Sequence, residues 1–141
     1  MHITLETDYA VRIVDRLVKN GKRTGAKAIS EAADVPQRFA LKILRKLSAA
    51  GIVKSYKGAG GGYELALPPE KISLYDIVEL VEGSYCFSRC VREEYVCSCT
   101  DRSGGLPCAY RHVFGEITEK VSDMLKMQTF DKLAEGKGRE Q

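Results

Sequence analysis

Five cysteines fall within one short segment, spaced Cys86-x3-Cys90-x6-Cys97-x-Cys99-x8-Cys108, and His112 follows one helical turn after the last. A framework of structural disulfides spreads its cysteines over the elements it staples, and five cannot all pair within one chain. Thiols gathered in this way point to metal binding or thiol chemistry in a reducing compartment. Thiolates are soft donors suited to zinc and to iron–sulfur clusters. Zinc usually announces itself with paired C-x2-C knuckles, and this sequence has none. The uneven spacing fits an iron–sulfur cluster better, with one ligand drawn from elsewhere. His112, at i+4 from Cys108, could face the same site, although a histidine on an amphipathic helix is more often packed or solvated.

A second pattern is basic. Residues 1–63 hold 12 Lys+Arg against 5 Asp+Glu, a balance of +7, whereas residues 64–141 hold 10 against 14, a balance of −4. The overall charge of +3 conceals this division. A basic half implies a polyanionic partner. The basic side chains concentrate on the stretch Gln37-Arg38-Phe39-Ala40-Leu41-Lys42-Ile43-Leu44-Arg45-Lys46-Leu47. With Leu41, Ile43, Leu44 and Leu47 turned inward, Gln37, Arg38, Lys42, Arg45 and Lys46 face out. Gln and Arg can pair with adenine and guanine edges in a major groove, and Lys and Arg further along can hold phosphates and set register.

The remaining composition bounds the class. The chain has 141 residues, 44% apolar and 29% charged, and lacks the roughly 20 consecutive apolar residues of a membrane span. Its first residues, MHITLETDYAVR, alternate apolar and charged types and lack a signal-peptide core, so a cytoplasmic location is expected. No nucleotide loop or catalytic dyad is evident, and no enzymatic activity is expected.

Several elements must position these residues. Apolar spacing predicts a helix over Leu5–Asn20, stopped by Asn20-Gly21. A second helix is expected over Thr24–Ala33, and a third opens at Pro36, whose missing N–H suits a first turn, and runs to about Ala50. Two short strands, Ile52–Tyr56 and Tyr63–Leu67, flank a glycine-rich tip, Lys57-Gly58-Ala59-Gly60-Gly61-Gly62. A fourth helix starts at Ser73 with a capping-box spacing to Asp76. The segment 84–108 reads as a loop carrying the cysteines. A last helix is expected over Ala109–Ala134, roughly 39 Å long, with Val113, Ile117, Val121, Met124 and Leu125 on one side. That length exceeds what so small a core needs and implies a partner chain. The tail 135–141 is expected to fray.

The order helix, helix, helix, two-stranded ribbon is that of a winged helix-turn-helix, with the short turn such motifs use. The expected fold is therefore mainly α with a two-stranded wing: a winged helix-turn-helix over 1–83, a cysteine-rich loop over 84–108 and a dimerisation helix over 109–134. Lys54, Lys57 and the side-chain-free Gly58, Gly60 and Gly61 of the tip can approach a phosphate backbone or enter a minor groove. Together with the third helix they favour double-stranded DNA as the ligand.

The stretch LSAAGIVKSYKGAGGGYELAL, with its turn at Gly58, Gly60, Gly61, Gly62 and Tyr63, resembles the wing of the IscR/NsrR-type bacterial regulators, the Rrf-two family. ISLYDIVELVEG is similar to that family's next helix, and the cysteine loop ahead of a long helix matches in position. The resemblance covers residues 1 to about 134. It implies a homodimeric transcription factor, usually a repressor, whose affinity for a palindromic operator is set by one iron–sulfur cluster per subunit, 2Fe–2S or 4Fe–4S, responding to nitric oxide, redox state or iron–sulfur status.

Carried over by position, the ligand cysteines fall on Cys90, Cys97 and Cys108, with Cys99 a rival to Cys97 and Cys86 additional. Where IscR-like proteins place a ligand histidine this chain has Arg111, with His112 adjacent. Thr7-Asp8-Tyr9-Ala10 resembles the NsrR branch, which implies Asp8 as a fourth ligand given to the partner subunit's cluster. Lys42 falls where NsrR-like proteins carry a lysine, and Leu41 where IscR-like proteins carry an acidic base reader. The alternative reading is a metal-free thiol-based regulator of sulfur or cysteine metabolism.

Overall fold

A computed structural model describes residues 3–98 and 107–136. Helix α1 (Leu5–Asn20) starts where the Thr4 side chain accepts from the Thr7 N–H, and ends where Gly21 adopts a left-handed conformation at φ 60° and donates its N–H to Leu17. Its inner stripe, Ala10, Ile13, Val14 and Leu17, is fully buried. Helix α2 runs over Ala26–Ala33, two residues later than expected. The cause lies in the wing: the Thr24 N–H donates to Tyr63 (2.9 Å) and the Tyr63 N–H donates back to Thr24 (2.8 Å), which holds Thr24 in a bridge to the ribbon. Helix α3 (Gln37–Ala49) opens behind Pro36, whose carbonyl accepts from Phe39 and Ala40. Ala40, Ile43, Leu44 and Leu47 are its buried face; Leu41, expected inside, is only half-buried.

Strands β1 (Val53–Tyr56) and β2 (Gly62–Leu65) pair antiparallel with Val53 opposite Leu65 and Tyr56 opposite Gly62. Helix α4 (Leu74–Glu82) carries the expected capping box, with Asp76 accepting from the Ser73 N–H at 2.7 Å and the Ser73 hydroxyl accepting from the Asp76 N–H. Its Gly83 C-cap leads into the cysteine segment, where Arg89–Val91 forms one 3-10 turn.

The expected helix over Ala109–Ala134 is interrupted. Helix α5 spans Ala109–Met127, 19 residues or about 28 Å, and α6 spans Phe130–Ala134. Between them the chain lies extended: Leu74 donates to Gln128 and Phe130 to Ile72, each at 2.9 Å. Phe130, 1% exposed, is thereby carried into the core formed by α1, α3 and α4. These two bonds replace helical ones lost at the break, and burying the phenylalanine contributes roughly a further 1.5–3 kcal/mol. Helix α5 packs on α4 and on the cysteine segment, yet Ser122 is its sole buried residue. Tyr110, Val113, Met124 and Met127 are exposed along it, so two residues of the expected inner stripe, Val113 and Met124, point outward. Among the described residues no helix is long and apolar enough to cross a membrane.

Candidate nucleic-acid interface and cysteine loop

Helices α2 and α3 meet at a tight turn. Asp34 takes a left-handed conformation at φ 53°, Val35 donates to Ser30 at 3.0 Å, and the Ser30 hydroxyl returns a 2.6 Å bond to the Val35 carbonyl. This locked corner fixes the angle at which α3 leaves the core. Gln37, Arg38 and Arg45 stand exposed on its outer surface. Lys42 and Lys46 sit on the flank toward α1, and both are engaged. Lys42 Nζ lies 2.9 Å from Glu6 Oε2 and Lys46 Nζ 2.6 Å from Glu6 Oε1. Hydrogen bonds from Lys46 and then Lys42 hold the Glu6 carboxyl below the usual carboxylate range.

The wing is anchored at its base and along one edge. Tyr56 and Gly62 close the ladder, and Gly62 at φ 139° lies so near α2 that a β-carbon there would fall 2.7 Å from the Thr24 carbonyl oxygen. Gly61 is equally constrained, because a β-carbon would fall 2.4 Å from the Tyr56 carbonyl oxygen. Gly58, at φ 88°, and Gly60 have open space around them. Lys54, Lys57, Gly58 and Gly60 are exposed. Arg23, not singled out from the sequence, braces the ribbon: its guanidinium lies 3.3 Å from the Tyr56 ring centroid, donates to the Gly60 carbonyl at 3.2 Å and approaches Glu64 at 3.8 Å. A hydrogen bond with Glu64 in turn raises the Tyr56 phenol above its ordinary value. Nothing local in the sequence pairs Arg23 with residues more than thirty positions away.

The cysteine segment departs from α4 beside the first turn of α1. Glu82, the last residue of α4, accepts from the Thr4 N–H at 2.9 Å, the Thr4 hydroxyl at 2.6 Å and the buried Thr7 hydroxyl. Bonds from Thr4 and Thr7 hold its carboxyl below the usual range. Cys86 Sγ accepts from Arg92 Nε at 3.1 Å, and Cys90 Sγ lies 3.2 Å from the Ser88 hydroxyl. Cys86, Cys90 and Cys97 are half-buried free thiols, and Cys108, the N-cap of α5, is an exposed one. Cys99 lies outside the described residues. His112 donates its N–H to the Cys108 carbonyl, and its ring lies 3.8 Å from Glu116. Asp8, on the exposed side of α1, pairs with Arg12 at 2.9 Å.

Among the described residues no three histidine, cysteine or acidic side chains converge as a metal site within one chain. In donor chemistry the segment fits an iron–sulfur cluster, since Cys86, Cys90, Cys97 and Cys108 are free thiols and thiolates are the usual ligands of such clusters. Phe87 moors the segment to α5, donating to Thr118 at 3.0 Å and stacking on Phe114 with ring centroids 5.6 Å apart. Between it, α1, α4 and α5 lies a cavity of about 430 Å³ floored by Val11, Val78, Val121 and Leu125 and bordered by Cys86 and Arg92.

The sequence pattern of the Rrf2 family, described as iron-dependent transcriptional regulators, matches residues 3–136. The chain belongs to the Rrf2 family. Protein aau3 of Rhizobium meliloti is 33% identical over 133 residues, covering 89% of this chain and 86% of that protein. Among solved structures, CymR, the global cysteine regulator of B. subtilis, is similar at 26% identity with a TM-score of 0.75, covering 96% of this chain and 97% of its own. IscR of T. potens superposes with a TM-score of 0.71 at 22% identity, covering 96% of this chain and 88% of its own, and so shares the fold. Mostly helical with one two-stranded antiparallel sheet, the architecture is that of winged-helix Rrf2 regulators. DNA binding and transcriptional regulation follow from membership.

Proposed function

We propose that this Rrf2 chain is a cytoplasmic homodimeric repressor that reads a palindromic operator with α3 and the wing, and that chemistry at its cysteine segment sets its DNA affinity. The observation that carries the reading is the pairing of a basic outer face on α3 with a wing whose Gly58, Gly60, Lys54 and Lys57 lie exposed. Two such units would meet half-sites about 34–36 Å apart, one turn of DNA. The exposed Tyr110, Val113, Met124 and Met127 of α5 supply apolar surface for the second copy.

For the sensor, Cys90, Cys97 and Cys108 are the ligand thiols, with Cys99 the alternative to Cys97, and the partner subunit's Asp8 is the fourth ligand. An iron–sulfur cluster held there would supply an iron centre that nitric oxide and oxidants attack. A carboxylate binds iron more weakly than a thiolate does, so Asp8 would be the more labile ligand. The first turn of α1 that carries it touches both α3, through Glu6, and the base of the cysteine segment, through Thr7 and Glu82, so a change at Asp8 would be felt at both. A differential contact of this kind is what a two-state switch requires.

Anaerobically purified protein is expected to contain iron and sulfide and to lose both in Cys90→Ser and Cys108→Ser. Asp8→Ala is expected to retain the cluster but lose it faster to nitric oxide. Protein that stays colourless and iron-free after reconstitution would remove the cluster from the account.

A second reading is a metal-free thiol sensor. The Arg92 guanidinium donating to Cys86 Sγ at 3.1 Å supports it, because it holds a half-buried free thiol in a fixed place; so does the similarity to a protein named a cysteine regulator. In that case the DNA affinity of iron-free protein should follow oxidation and be abolished as a response by Cys86→Ser.

A further inference from the structure

Of the cations on the outer surfaces of α3, two do not face solvent unopposed. Lys42 and Lys46 lie one turn apart on the flank toward α1, and the Glu6 carboxylate sits between them with one oxygen on each, at 2.9 and 2.6 Å. Charge-assisted bonds of this length are the stronger kind. Glu6 is well covered, its side chain 21% exposed, while Lys42 and Lys46 are 56% and 35% exposed. The turn carrying Glu6 is itself tied down, because Thr4 and Thr7 on either side of it donate to Glu82. The carboxylate therefore meets the lysines from a prepared position and does not have to be ordered for the contact.

We propose that Glu6 is a specificity-determining residue that withholds Lys42 and Lys46 from the DNA backbone. A phosphate approaching either ammonium would meet a carboxylate within a few ångströms, and the trio carries a net charge of +1 where the lysines alone would carry +2. Lysine–phosphate contacts hold any duplex regardless of sequence, and they supply most of non-specific affinity. Offsetting one of the two positive charges lowers affinity for random DNA while leaving Arg38, Gln37 and Arg45 to meet the groove. The ratio of specific to non-specific binding, which governs occupancy of a site in a genome, rises accordingly. The proposal rests on the reading that α3 meets DNA.

The test is the salt dependence of binding by the full-length protein to two duplexes, one from its own promoter and one of random sequence. Each phosphate neutralised steepens the slope of log K against log salt by about 0.9. For Glu6→Gln, which removes the charge and keeps the shape, the random-sequence slope should steepen by up to roughly 0.9 per contacting subunit, with affinity at 0.1 M salt rising by up to about tenfold. In the Glu6→Gln background, Lys42→Gln or Lys46→Gln should each lower the slope by about 0.9, back to the wild-type value. An ion pair that only braced α1 against α3 would change thermal stability and leave these slopes alone. An unchanged slope in folded Glu6→Gln protein, or a steepened slope that neither lysine substitution reverses, overturns the proposal. Absence of salt-sensitive binding by the wild type overturns it too, and locates the fault in the reading that α3 meets DNA.

Discussion

Replacing Gly62 with alanine should unseat the wing from the helical core. The added carbon would fall 2.7 Å from the Thr24 carbonyl oxygen, in a backbone at φ 139°. Relief of that clash separates Thr24 from the ribbon and costs the two hydrogen bonds it shares with Tyr63, at 2.9 and 2.8 Å. Each such bond is worth about 0.5–1.5 kcal/mol net, and the unfavourable conformation adds about 1–3 kcal/mol. Partial relaxation brings the expected loss to about 2–4 kcal/mol, a fall in Tm of roughly 5–15 °C for a domain of this size. Gly60→Ala is the control. It sits two residues away on the same tip with open space around it and no left-handed φ, so its effect should stay within about 0.5 kcal/mol. Thermal and urea melts at one fixed protein concentration compare the two, and promoter binding by each variant reports on the wing. Equal behaviour of the two alanines would refute the claim that close approach to Thr24, and not mere turn flexibility, demands glycine at position 62.

Three further outcomes follow from the same geometry. Phe130→Ala should destabilise the protein by about 3–5 kcal/mol, as loss of a buried aromatic does, and a loss under 1 kcal/mol in urea melts would mean that α6 does not complete the core. Arg23→Ala should weaken DNA binding more than it lowers Tm, because it braces the exposed Gly60 end of the wing; a variant with unchanged promoter affinity removes that role. Glu82 is held below its ordinary value of 4.5 by Thr4 and Thr7. Its contribution is thus complete above that value and disappears as the pH falls through the lowered one. Stability curves below pH 4.5 should therefore be shallower for Glu82→Gln than for the wild type, and parallel curves would contradict the assignment.

Local rules made much of the fold legible. Gly21 stops α1, Pro36 opens α3, and Ser73 with Asp76 caps α4, each through chemistry contained within a few residues. The tip glycines marked the wing, although only the structure separates Gly61 and Gly62, which have no room for a side chain, from Gly60, which has. What escaped the sequence was set at long range. Thr24 leaves its expected helix for Tyr63, 39 positions away, and α5 breaks where no glycine or proline stands because Phe130 belongs to the N-terminal core. The basic face of α3 is legible in the sequence, but Glu6 lies 36 and 40 positions from Lys42 and Lys46, and no periodicity shows that it neutralises part of that face. The cysteines are conspicuous by type and spacing, whereas where each thiol lies depends on the path of an irregular segment that no periodicity describes.

The link between the cysteine segment and DNA is tested most directly by one anaerobic titration of promoter DNA with cluster-loaded and cluster-free protein, at fixed salt and with iron counted in both samples. The account predicts iron in the loaded sample and affinities differing by tenfold or more between the two forms, a difference that nitric oxide abolishes. Equal affinities, or affinities that follow thiol oxidation without regard to iron, would contradict it.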